Sequence, residues 1–262
     1  YTASKYDQIQ IQDGTEIASA VIKYFKFKKG INVILSSDVP AGSGLGASSS
    51  LAVNLVNVIS NMKGEHLSKT EIAEKAFHIG RKILHWPIGK QDEYVSSFGG
   101  FNAVKFSKER VSLQPINLSK STSTELQNNL LLFREGNTRN SSTILTNQID
   151  MIKKKNPDTL TSLLTVKDLA FDMHKSLKQS DITKFGELIH QGWLAKKKFA
   201  KNVTNSRIDK IYDVALKNGA IGGKVTGAGG GGHMLFYCEK PKQNKLQKKL
   251  QTLGLEYVKF SF

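Results

Sequence analysis

The chain has 262 residues, 39% of them hydrophobic, and carries 38 basic against 22 acidic side chains, a net charge of +16. That length suits one large domain or two modest ones with a sizeable core. A lone cysteine, Cys238, excludes an internal disulfide and a cysteine metal cluster and suits a reducing cytoplasm, and no apolar run approaches the ~18 residues of a membrane span.

The lysines are spread along helix-like runs, at Lys26, Lys28 and Lys29, Lys153 to Lys155, Lys196 to Lys198 and Lys245 to Lys249. Few aromatics are interleaved with them, so solvated faces account for the charge and no platform for stacking nucleic-acid bases is visible. No signal peptide is visible either; Tyr1 is not a methionine, so a preceding leader is left open.

In chain order, residues 16–29 predict a helix with Ile17, Ala20, Val21, Tyr24 and Phe25 on one side. Ile31, Val33 and Leu35, set against Asn32, Ser36 and Ser37, predict a strand. The glycine-rich stretch Pro40 to Ser50 comes next. A helix from Ala47 to about Met62 follows, apolar around most of its circumference apart from a stripe of Asn54, Asn57 and Asn61, and is expected to be buried. Gly64 ends it. Ser68 and Glu71 then open a second helix as a capping box, which carries Ile72, Ala76, Ile79 and Ile83 and stops before Pro87.

Ile88 to Tyr94 reads as a loop with a charged cluster, and residues 101–106 and 110–114 as a hairpin. The Ser-, Thr- and Asn-rich stretch 117–129 predicts a domain junction, dividing the chain into 1–124 and 125–262. The second half opens with an apolar strand, Leu130 to Phe133. Helices follow over 140–155, after an Asn156 cap with Pro157 in the first turn, after an Asp181 cap, and from Arg207 to Lys217, ending at Gly219. A glycine-rich segment, 222–232, precedes a strand from Met234 to Tyr237. A helix over 242–253 and a strand over 256–262 complete a sheet covered by helices.

The stretch 40–50 is the chemically informative one. Strand, glycine loop and helix start put free backbone N–H groups and the positive end of a helix dipole at one spot, which suits phosphate. Gly42, Gly44 and Gly46 let the backbone approach an anion closely, and Ser48, Ser49 and Ser50 add hydroxyls for phosphate oxygens or a magnesium ion. A turn before a serine-capped helix accounts for the same residues. A P-loop needs Lys-Ser or Lys-Thr where Ala47-Ser48 stands, and a hydrolase elbow needs Gly-x-Ser-x-Gly, which Ala41 to Leu45 lacks. A dinucleotide fingerprint needs a βαβ unit with an acid about twenty residues on; Glu65 is near that distance, but a second helix follows.

Pro40-x-x-x-Gly44-Leu45-Gly46-x-Ser48-Ser49 resembles the ATP-binding motif of the GHMP small-molecule kinases. Gly89-x-x-Asp92 and the segment Lys224 to Gly232 resemble two further elements of that superfamily. The resemblance implies a two-domain α+β fold, with a ribosomal-protein-like N-terminal α/β domain and a ferredoxin-like C-terminal one. It implies ATP on Pro40, Gly42, Ser43, Gly44, Leu45, Gly46, Ala47, Ser48, Ser49 and Ser50, with Mg²⁺ on Ser48. Asp92 would take the acceptor hydroxyl's proton or orient that hydroxyl electrostatically, and Thr226, Gly227, Gly229 and Gly230 would border the acceptor.

Further likenesses narrow the branch. Gly89-Lys90-Gln91-Asp92, Phe98 to Asn102, Leu130 to Phe133 with Gly136, Arg139 and Ser141-Ser142, and Phe185-Gly186-Glu187-Leu188-x-His190-x-x-Trp193 look like the D-glycero-D-manno-heptose 7-phosphate kinases. These transfer the ATP γ-phosphate to the anomeric hydroxyl of a heptose phosphate, toward nucleotide-activated heptose for surface polysaccharide. With the lone cysteine, the scattered lysines and the lack of a long apolar run, the expectation is a cytoplasmic enzyme with no nucleic-acid or membrane partner. Lys90 and Arg139 are the candidates for the sugar's own phosphate, Arg as a bidentate fork and Lys as a point charge. The alternatives are a kinase for galactose or fucose, and a weak relative that only binds nucleotide or sugar.

Three departures bear on activity. The superfamily's glycine-rich first motif is not found, which predicts an N-terminal domain truncated at its start, with an apolar sheet edge. Gly80 stands where related kinases carry an acidic residue that helps hold magnesium. Ala47 replaces a serine common in the loop.

Overall fold

A computed structural model describes residues 5–11, 14–39, 42–136 and 141–261. Two compact units emerge: the described residues up to Val39 together with Gly46–Gly100, and Gly42–Leu45 together with the residues from Phe101 on. Among the described residues no helix is long and apolar enough to cross a membrane.

The first unit is built on helices α1 (Glu16–Tyr24), α2 (Ala47–Met62), α3 (Lys69–His78) and α4 (Gln91–Phe98). Ile17, Ala20 and Val21 of α1 share one core with Ala52, Val53, Val56 and Ile59 of α2 and Ile72 and Ala76 of α3. The asparagine stripe of α2 faces solvent as its spacing predicts, but Val58 and Met62 are also about half exposed, so the helix is less enclosed than expected. Ser68 caps α3 in a complete capping box with Glu71, and the helix runs on into a π-helical turn, Ile79–Ile83.

Two expectations fail in this unit. Residues 31–37 alternate as a strand does, yet no strand forms there and Ile34 is 88% exposed. Alternation becomes a strand only against a hydrogen-bonding partner, and none pairs with this segment among the described residues. Conversely, the expected loop around Asp92 is helix α4. Asp92 and Glu93 occupy its first turn, where the helix dipole favours negative charge, and the Tyr94 and Phe98 rings stack one turn apart.

The second unit starts with an antiparallel hairpin of β1 (Asn102–Phe106) and β2 (Val111–Pro115), as predicted. The stretch expected as a junction is instead helix α5 (Lys120–Asn129), capped by Ser119 and anchored by buried Leu126. Next come β3 (Leu130–Arg134), α6 (Ser141–Lys153), α7 (Pro157–Lys178), α8 (Ile182–Lys196) and α9 (Ser206–Lys217). Asn156, Asp181 and Asn205 accept hydrogen bonds from the third backbone N–H beyond them and so cap α7, α8 and α9. β4 (Ala220–Val225), β5 (His233–Cys238), α10 (Lys240–Thr252) and β6 (Glu256–Val258) finish the unit.

The four later strands form an antiparallel sheet in the order β4-β5-β3-β6. With helices after β3 and α10 between β5 and β6, this is the β-α-β-β-α-β arrangement of ferredoxin-like domains. Side chains alternate across the sheet. Leu131, Phe133, Met234 and Phe236 join Ile208 and Ile211 of α9 and Leu246 and Leu250 of α10. On the other face, Leu130 and Tyr237 join Leu126, Leu177, Ile182 and Ile189. Helix α8 lies close on β4 because Gly222 has no side chain; a Cβ there would come within 2.1 Å of the Gly186 carbonyl oxygen.

Candidate active site

Within the first unit, the chemistry gathers where α2 begins. Gly46 precedes the helix in the left-handed conformation (φ 77°), and a Cβ placed on it would meet nothing within 4 Å. The first turn of α2 presents backbone N–H groups that have no partner within the helix, the arrangement that favours an anion. Ser48 is exposed on that turn; Ser49 and Ser50 are partly covered.

Helix α4 packs beside α2 and brings two adjacent carboxyls with different surroundings. Asp92 is exposed, whereas Glu93 is 1% exposed. The Ser49 hydroxyl donates to Glu93 Oε1 over 2.9 Å, and Glu93 Oε2 has no partner. Burial pushes the Glu93 carboxyl above the usual carboxylate range; the Asp92 charge adds to this, and the bond from Ser49 opposes it. A buried carboxyl held high beside an exposed one is the kind of split that separates roles at an active site.

Lys90, one residue before α4, donates to both oxygens of Glu74 at 2.6 and 2.8 Å and lies over the Phe77 ring. Tyr94 also donates to Glu74, over 2.6 Å. Burial works against ionising Glu74, but the bonds from Lys90 and Tyr94 outweigh it and hold the carboxyl below its ordinary value. Gly80 is buried in the π-helical turn, where a Cβ would lie 2.6 Å from Ile88 Cδ1. The backbone at that position leaves no room for an acidic side chain unless Ile88 moves.

Within the second unit, the phosphate-type loop meets the glycine turn between β4 and β5. Ser43 is buried, and its hydroxyl accepts from the Leu45 N–H. Its carbonyl accepts from His233 Nδ1 at 2.9 Å and lies 3.5 Å from the Thr226 hydroxyl. A Cβ on Gly232 would come within 2.6 Å of the same oxygen, and one on Gly229 within 2.6 Å of the Val203 carbonyl. These two glycines are thus demanded by protein backbone close by, whereas the residue pattern alone suggests a ligand as the reason. The Gly230 N–H donates to the Val203 carbonyl over 2.7 Å, and the Lys196 ammonium donates to the Gly227 carbonyl. Lys196 at the end of α8 and Val203 in the connection from α8 to α9 therefore pin this turn.

Of the residues singled out from the sequence, Gly42, Ser43, Gly44 and Leu45 lie with Thr226, Gly227, Gly229 and Gly230 in the second unit. Gly46, Ala47, Ser48, Ser49, Ser50, Lys90 and Asp92 lie in the first. Pro40 and Arg139 fall outside the described residues. Glu93, Glu74 and His233 carry contacts that the sequence pattern did not single out. The one visible signal for His233 is a polar residue directly after four glycines, at the head of an apolar strand.

Among the described residues no three His, Cys, Asp or Glu side chains come together as a cage. Ser48, exposed on the first turn of α2, suits Mg²⁺ as a single protein ligand, since the ion takes few of these and keeps phosphate and water oxygens for the rest.

The family models for the GHMP kinases N terminal domain and the GHMP kinases C terminal domain match residues 15–100 and 173–254. The chain belongs to the GHMP kinases. It is 32% identical over 249 residues to a D-glycero-alpha-D-manno-heptose 7-phosphate kinase of Campylobacter jejuni, an alignment covering 94% of this chain and 73% of that one. An L-fucokinase/L-fucose-1-P guanylyltransferase of Bacteroides fragilis is 28% identical over 232 residues, covering 86% of this chain and 24% of that protein. The crystal structure of a D-glycero-D-manno-heptose 1-phosphate kinase from Bacteroides thetaiotaomicron superposes with a TM-score of 0.74 at 25% identity, covering 97% of this chain and 74% of that one.

Proposed function

We propose that the chain is an ATP-dependent sugar kinase that phosphorylates the anomeric hydroxyl of a heptose phosphate, D-glycero-D-manno-heptose 7-phosphate in the first instance. The observation that carries this reading is the likeness to the Campylobacter jejuni enzyme along 94% of the chain. The Bacteroides thetaiotaomicron structure, also named for a heptose phosphate, supports the same substrate class.

In this reading the ATP phosphates lie on the loop amides and the first turn of α2. The acceptor oxygen forms a bond to the γ-phosphorus while the bond from that phosphorus to the ADP oxygen breaks, and the acceptor's proton passes to Asp92. A positioned base of this kind contributes about 10²–10⁴-fold. Holding the reactants in line and neutralising phosphate charge supply the rest. Bound Mg²⁺, with Ser48 among its ligands, supplies charge neutralisation at the phosphates. Thr226, Gly227, Gly229 and Gly230 border the acceptor, and Arg139 takes its distal phosphate. Lys90 joins that contact while bonded to Glu74.

Incubation with ATP, Mg²⁺ and either heptose 7-phosphate, galactose or fucose, read by ³¹P NMR, tests the assignment. A 1,7-bisphosphate from the first acceptor and none from the others is expected. Phosphorylation of galactose or fucose instead would move the substrate to another branch. ATP binding without product from any acceptor would favour the second reading, a relative that binds without turnover. Gly80 favours that reading, since it offers no acidic side chain to help hold magnesium.

A further inference from the structure

We infer that His233 is a positioning residue for the nucleotide: by holding the Ser43 carbonyl it turns the Gly44 N–H toward the phosphates. The inference rests on the reading of residues 42–50 as the nucleotide loop.

The argument starts from the peptide unit. Across a trans peptide bond the carbonyl of one residue and the N–H of the next point in opposite directions within one plane. No peptide bond in the described chain is cis. Whatever fixes the Ser43 carbonyl therefore fixes the Gly44 N–H. Glycines on this loop have little intrinsic preference for one peptide orientation, and Gly42 and Gly44 both sit at positive φ, 75° and 76°. Left alone, such a peptide flips easily; here it is held.

The hold is specific. His233 is 3% exposed and its Nδ1 lies 2.9 Å from the Ser43 oxygen. A carbonyl oxygen only accepts, so Nδ1 carries the proton. The backbone that carries the imidazole is held in the sheet, because β5 begins at His233 and the residue pairs with Arg134 of β3. The turn is shut behind it by the Thr226 N–H, which donates to the His233 carbonyl over 2.9 Å. Gly232 lets the strand come that close, since any side chain there would strike the Ser43 and Gly42 carbonyls. With the carbonyl tied to the strand on one side, the Gly44 N–H is directed to the other.

Replacing His233 by Phe keeps the ring volume and removes the donor. Replacing it by Asn restores an N–H donor near the place of Nδ1. For His233→Phe we expect ATP and ADP to bind about tenfold more weakly, the scale of one buried hydrogen bond, while adenosine, which has no phosphate, binds as in the unaltered protein. His233→Asn should recover most of the loss. Calorimetric titration of the three ligands reads all of this. Equal ATP affinity in His233→Phe and the unaltered protein would overturn the inference and leave the nucleotide reading standing. Equal weakening of adenosine and ATP would overturn it too, as a packing defect. Absence of ATP binding by the unaltered protein would remove the nucleotide reading itself. Should neither variant fold, the Gly44 amide resonance of the unaltered protein decides: a shift on adding ADP but not adenosine supports the inference, and no shift refutes it.

Discussion

Ser49, on the first turn of α2, donates to Glu93 on the first turn of α4 over 2.9 Å, and the second oxygen of that carboxyl is buried with nothing to bond. The pair fastens the start of the candidate nucleotide helix to the helix that bears Asp92. An ionised carboxylate in such a place is costly, because burial strips water from the charge and one hydroxyl does not replace it.

A stability profile follows from that cost. Burial raises the Glu93 carboxyl above its unfolded value. The folded state therefore holds the proton more tightly, and its advantage is complete below the ordinary carboxylate range. The advantage is lost as pH rises through the folded value. Glu93→Gln, which cannot ionise, should lose less stability than the unaltered protein over that rise. Thermal midpoints of the two proteins from pH 4 to 8 check this, and parallel profiles would show that Glu93 does not titrate in a buried site.

How far residues alone predict such features depends on whether the cause is local. The Asp181 cap of α8 and the capping box at Ser68 are legible because side chain and backbone partner lie three residues apart. The β3 run Leu130–Phe133 is legible because it is buried on both faces. Ile31 to Leu35 misleads because a strand depends on a partner, and α4 is missed because its buried face includes a glutamate. At the site, the glycine spacing of 42–46 announces the loop. The bond from His233 to Ser43 joins residues 190 positions apart, and no local pattern carries it.

Gly80 offers a test of whether the missing acidic residue can simply be restored. A Cβ there meets only Ile88 Cδ1 closely, the end of a flexible side chain. Gly80→Ala should therefore cost less than about 1 kcal/mol, helped by the better helix propensity of alanine. Gly80→Glu must displace Ile88 and bury a carboxylate, and should cost about 2–4 kcal/mol. Ile88→Ala in the same chain should recover part of that by opening space. Urea unfolding of the three variants decides; a Gly80→Glu protein as stable as the original would show that the turn rearranges freely.

Lys90 and Glu74 make a partly exposed pair, with side chains 34% and 40% exposed. Solvent screening keeps the worth of such a pair to about 0.5–1 kcal/mol even with two short bonds. Because Glu74 is held below its unfolded value, that stability is present above the ordinary carboxylate range and disappears as pH falls through the folded value. Lys90→Met should then be less stable than the unaltered protein at pH 7 and much closer to it at pH 3. If Lys90 also reaches the sugar's phosphate, the same variant raises KM for the sugar phosphate and leaves KM for ATP unchanged. A change in KM for ATP alone would place Lys90 on the nucleotide side instead.

Asp92, exposed on the first turn of α4, carries the proposed proton transfer. Asn has nearly the same shape and cannot take a proton. Asp92→Asn should therefore lower kcat by about 10²–10⁴-fold while ATP still binds with its original affinity. The folded state should survive, since the substitution removes a charge from a helix N-terminus at a cost of only about 0.3–1 kcal/mol. Steady-state rates with calorimetric ATP titration separate the outcomes. An undiminished kcat would take Asp92 out of the proton path. A kcat lost together with ATP affinity would mean that the carboxylate shapes the nucleotide site and does not act on the acceptor.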